Sequence, residues 1–85
     1  MTAKARSERT ANLLMAHLDA LARAAPRMPY AETKRLIEIA AMATSRAVTL
    51  ELLAADRAAA IWREAHARHP CLPRVDVAFS ARLAA

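Results

Sequence analysis

The chain has 85 residues, a mass of 9.3 kDa and no glycine, and 24 of its residues are alanine. That length allows one domain, and the lack of glycine excludes the loops that cradle phosphates and argues against turn-rich sandwiches and barrels. Thirteen Lys and Arg against eight Asp and Glu leave a formal charge of +5, which admits an acidic or nucleic-acid partner.

Alanine is the best helix former, so the composition indicates an all-α chain. Only three residues are aromatic: Tyr30, Trp62 and Phe79. Eleven of the thirteen basic residues are arginine, which reads as a compositional bias as readily as a functional face. Cys71 is the single cysteine, so no intrachain disulfide forms and a reducing, cytoplasmic setting is the simplest expectation. His17, Asp19 and Arg23 interrupt the apolar stretch 11–25, which argues against a secretory signal. No run approaches the ~18 apolar residues of a membrane span.

In chain order, residues 1–6 read as a flexible basic arm, and the whole of 1–85 as one helical domain. Ser7 suits a helix N-cap and Glu8 the first turn. A first helix over about 7–25 then carries Ala11, Leu14, Leu18, Leu21 and Ala25 on one stripe. Pro26 and Pro29 end it, because proline lacks the donor and clashes with the preceding turn.

From Tyr30 to His69 there is neither proline nor glycine, so a continuous helix over about 29–69 is expected, ~60 Å long at 1.5 Å per residue. Thr44 to Thr49 is its weakest stretch, and a bend at 44–49 is the main alternative. An eleven-residue interval supports continuity, since eleven steps return nearly to the same face. It relates Ile39, Leu50 and Ile61, and it aligns Arg35, Arg46, Arg57 and Arg68. The main apolar face holds Leu36, Ile39, Ala40, Ala43, Ala47 and Leu50, continuing to Ala54, Ala58, Ile61 and Ala65. A weaker face holds Ile37, Ala41, Val48, Leu52, Ala55 and Ala59.

The first helix covers about half of such a long one, which leaves Leu50, Leu52, Leu53, Ile61 and Trp62 in need of cover. A homodimeric helical bundle supplies it most economically. Pro70 and Pro73 set off a C-terminal segment over 70–85, where Val75, Val77, Phe79 and Leu83 offer further cover. Residues 73–84 read as a short helix in preference to a strand, since no other segment offers a sheet edge.

Candidate sites are few. His66, His69 and Cys71 form H-x-x-H-x-C, a weak metal motif that lacks a fourth ligand; histidines at a helix C-terminus also simply suit the dipole. Cys71 as a nucleophile lacks an acid partner and an oxyanion donor. No catalytic constellation and no cofactor are called for. Trp62, with Leu52 and the rim formed by Arg35, Arg46, Arg57 and Arg68, is the expected protein-binding surface. The sequence thus points to a small non-enzymatic regulator or adaptor that modulates a larger protein. The alternative is a nucleic-acid binder using Lys4, Arg6 and Arg9 with Arg35, Arg46 and Arg57, although stacking aromatics are missing.

Overall fold

A computed structural model describes residues 2–74. Three helices follow one another: α1 (Ala3–Ala24), α2 (Tyr30–Thr49) and α3 (Ala55–Arg68), with a 3-10 turn over Ala25–Arg27. No strand occurs among the described residues. The expectation of a helix over 73–84 concerns residues that lie almost wholly outside the described ones.

Helix α1 begins four residues earlier than the sequence suggests. Thr2, not Ser7, is its cap: the Ala5 amide donates to the Thr2 hydroxyl at 3.1 Å. Lys4 and Arg6 therefore lie on the first helical turns, not on a flexible arm. Pro26 and Pro29 close α1 and open α2 as anticipated, with Pro29 at the α2 N-cap.

The single long helix over 29–69 is not present. It divides after Thr49, and the longest dimension of the molecule, 39 Å, has no room for ~60 Å of helix. The break falls beyond the 44–49 stretch, through which α2 runs uninterrupted. A Schellman motif produces it: the Leu52 amide donates to the Ala47 carbonyl (2.9 Å) and the Glu51 amide to the Val48 carbonyl (3.0 Å). Glu51 occupies the left-handed position at φ 60, where glycine is the usual residue. In a chain without glycine, the customary stop signal is missing while the stop itself remains.

Helix α1 packs against both α2 and α3, and its contact with α3 is the broadest of the three pairings. Six of the twelve buried apolar residues among those described are alanines, which let the helices approach closely. The larger volumes come from Leu18, Leu21, Leu53, Ile61, Trp62 and Leu72. Trp62 is fully buried. Its indole Nε1 donates to the Thr44 hydroxyl (3.1 Å), and that hydroxyl donates to the Ala40 carbonyl (2.8 Å). One β-branched residue in the supposedly weak stretch is therefore the polar anchor of the core.

The expected main face of α2 is rotated out of the core. Ala40 from the main face and Ala41 from the weaker one are buried together with Thr44 between them, so the core takes the adjoining edges of the two faces and leaves Ile39, Ala43 and Leu50 exposed. Tyr30, the first residue of α2, is exposed as well.

Two stability changes follow from this geometry. Thr44→Val removes the acceptor of the Trp62 indole and is expected to cost about 1–3 kcal/mol in chemical denaturation. Glu51→Gly relieves the left-handed backbone and, after glycine's own entropy, is expected to add about 0.5–1 kcal/mol, visible as a raised Tm.

Candidate functional site

Consecutive leucines on a helix point in different directions, so Leu13 and Leu14 divide between surface and core. Leu14 is partly buried against the core, whereas Leu13 is 63% exposed. The five-residue link 25–29 folds α2 back on α1, and Leu13 and His17 then flank a hollow of about 390 Å³ opposite Ile39, Ala43 and Ala47, with Leu53 also lining it. Ile39 is 50% exposed and Met42 59%. Leu50, eleven residues after Ile39, continues the same stripe one turn beyond Arg46 and is 57% exposed.

Cations border this apolar face. Arg6 is seven residues before Leu13 and shares its side of α1. Arg35 and Arg46 lie four before and seven after Ile39, on its side of α2. All three are exposed, as are two carboxylates of α2, Glu32, seven before Ile39, and Glu38, four before Met42. Backbone geometry thus gathers an apolar stripe with an arginine border at the α1–α2 seam.

The four arginines read as one row belong to two groups. With the helix broken at Glu51, Arg57 and Arg68 sit on α3 and line a smaller hollow of about 260 Å³ with Asn12 and Met15 of α1. Arg68 bonds Glu64 (2.7 Å) and reaches Asp19 of α1 at 3.8 Å. Trp62 is no surface residue and does not form the binding surface expected of it, whereas Leu52 is half-buried in the α2–α3 turn. Lys4, Arg6 and Arg9 are all exposed on α1.

The histidines act within the fold. His69 Nε2 donates to the Asp19 carboxylate across the α1–α3 contact (3.0 Å), and His66 Nδ1 donates to the Leu72 carbonyl (2.6 Å). The second of these bonds fastens the 69–74 loop, whose Leu72 is buried. His66, His69 and Cys71 do not converge on a common point. Among the described residues no group of three His, Cys, Asp or Glu side chains is placed to hold a metal ion. Cys71 is exposed.

A larger hollow, about 1060 Å³, lies between the start of α2 and the 70–74 loop. Met28, Ile37, Ala41 and Leu72 supply apolar walls, and Lys34 and Glu38 stand on its α2 side. Thr33 lines it too. The Thr33 hydroxyl is buried and has no hydrogen-bond partner. Its usual acceptor, the Pro29 carbonyl four residues back, already receives the Glu32 and Thr33 amides at 3.1 Å each.

Sequence reasoning missed Leu13, Met42, Thr44 and Asp19. The Leu13-Leu14 pair was the available signal for the first. Thr44 and Asp19 meet Trp62 and His69, 18 and 50 residues away, which no local pattern announces.

No protein-family model, no curated protein and no solved structure matches the chain. Among the described residues no helix is long and apolar enough to cross a membrane.

Asp19 receives two groups from the end of α3, so Asp19→Ala is expected to cost about 1 kcal/mol in chemical denaturation. Glu64→Ala, which removes only an exposed pair, is expected to stay within about 0.5 kcal/mol of wild type.

Proposed function

We propose that the protein is a small non-enzymatic regulator or adaptor whose α1–α2 face receives an acidic amphipathic helix from another protein. The observation that carries this reading is Leu13 and Ile39, large apolar side chains left half or more exposed on either side of one hollow, with Met42 and Leu50 also exposed along α2 and at its end. Singly exposed apolar residues are ordinary, but a contiguous group with a polar rim marks an interaction surface. Helix-in-groove recognition uses anchors at helical spacing, which suits a shallow seam between two helices.

Electrostatics select the partner. Arg6, Arg35 and Arg46 against Glu32 and Glu38 leave the face a small positive balance, in keeping with the overall charge of +5. Carboxylates flanking an apolar stripe complement it. A homodimer seated here would bring the same arginine-bearing patch onto itself, and like charges across an interface are costly. The homodimer expected from sequence is therefore the weaker use of this face. A cytoplasmic partner is part of the same proposal.

Nucleic acid remains the second reading, because Lys4, Arg6 and Arg9 project from one helix end that carries no acidic residue in its first turn. That term is strongly salt-dependent.

Affinity capture from the source cell with wild type, with Leu13→Ser/Ile39→Ser and with Arg57→Ala tests the proposal. All three changes are at exposed positions and should leave the fold intact by circular dichroism. The expected outcome is one set of proteins recovered by wild type and Arg57→Ala and lost with the double variant, its bound segment being acidic. Equal recovery by all three sinks the α1–α2 face as the docking site. Mobility of a DNA or RNA duplex is expected to be unchanged even at low salt; a shift that fades as salt rises would favour the nucleic-acid reading instead.

A further inference from the structure

We infer that α3 is exchangeable between two copies of this chain: the turn over 50–54 straightens, α2 and α3 become one helix, and each α3 packs on the α1–α2 pair of the other copy. The proposal rests on the core contacts of α3 and stands independently of the docking proposed at the α1–α2 seam.

The turn itself is the first support. Leu50, Glu51, Leu52, Leu53 and Ala54 join α2 to α3. Leucine, glutamate and alanine are among the strongest helix formers, and no glycine, proline or asparagine holds the bend. Ala54 at the α3 N-cap offers no side-chain acceptor. Glu51 sits at φ 60, a left-handed conformation that strains any residue with a Cβ. A straight helix over this stretch releases that strain and pairs backbone groups otherwise left over at two helix ends. Short turns under strain favour exchange of the element beyond them. The 25–29 link differs, because Pro26 and Pro29 forbid a continuous helix there. Exchange is thereby confined to α3.

Retention of contacts is the second. Helix α3 meets α1 more broadly than it meets α2, its neighbour in sequence. Its fixing bonds run to the other two helices: Trp62 to Thr44 of α2 (3.1 Å), and His69 to Asp19 of α1 (3.0 Å). Both re-form between copies. In one straight helix Trp62 lies ~27 Å along the axis from its own Thr44, so the bond forms only with the second copy. Register is the third. Ile39, Leu50 and Ile61 share no face while α3 folds back, and they line up once the helix is straight. Leu53 leaves its buried place on straightening. The two straightened turns lie side by side at the centre of the dimer, where Leu53, Leu52 and the otherwise exposed Leu50 cover their copies.

Size exclusion with light scattering, on protein refolded at high concentration, is the first test. The expected result is a dimer beside the monomer. Glu51→Gly, which relaxes the folded-back turn, is expected to lower the dimer fraction about ten-fold. Glu51→Val, whose β-branch tolerates the left-handed region least, is expected to raise it. Pulsed electron resonance then reads the path of each chain within the dimer. Spin labels go on the exposed positions of Glu32→Cys and Ala67→Cys in a Cys71→Ser background, diluted into unlabelled chains before refolding. An exchanged dimer places the two labels of one chain ~52 Å apart along one helix. The folded-back chain keeps them within its longest dimension of 39 Å. Three results overturn the proposal: no dimer after refolding, a dimer whose chains keep the shorter distance, or a dimer fraction indifferent to Glu51→Gly.

Discussion

The core rests on one constraint: helices built mostly of alanine approach closely but bring little volume with them. Something large has to fill the space where three of them meet, and Trp62 does so. A buried indole carries an N–H that needs an acceptor. Thr44 provides it from α2 while returning its own proton to Ala40. That chain of two hydrogen bonds fixes the rotation of α2 about its axis. With Thr44 turned inward, the positions two and five residues before it fall on the other side and face solvent. The outward placement of Ile39 and Met42 is therefore a consequence of the core. The surface proposed for binding is set from within.

Much of the architecture is legible in the sequence, and the failures have physical reasons. Alanine content gives the all-α class, and the proline pairs locate the ends of α1 and α3 to within a residue or two. The start of α1 is misplaced because Thr2 and Ser7 are both competent caps, and nothing local decides between them. The division of the long helix is invisible because its left-handed residue is a glutamate. The rule that glycine marks such a stop cannot operate in a chain that has none. The eleven-residue interval of arginines then persists across the break as a pattern without a common face.

The site was less legible than the fold. Periodicity locates apolar stripes, but it does not say which of two stripes a neighbouring helix takes. Here α1 and α3 together bury the sector between them. Trp62 was read as a surface anchor because its helical position lies off the stripe expected to be buried. Rotation of that stripe moves it to the centre. The histidines near the end of α3, only a weak metal motif in the sequence, have partners within the fold: one is paired with a carboxylate of α1 and the other holds down the following loop. These partners are separated from one another by long stretches of sequence or by a turn whose shape only the fold reveals.

The burial of Trp62 has a practical corollary. It is the only indole in the chain, and its hydrogen bond to Thr44 bridges α2 and α3. Its emission therefore comes from one dry location and changes when water reaches the junction of the helices. The protein thus carries an intrinsic optical reporter of its own assembly. An event on the α1–α2 seam that twists α2 registers in that signal without any dye or tag, because the acceptor moves with the helix.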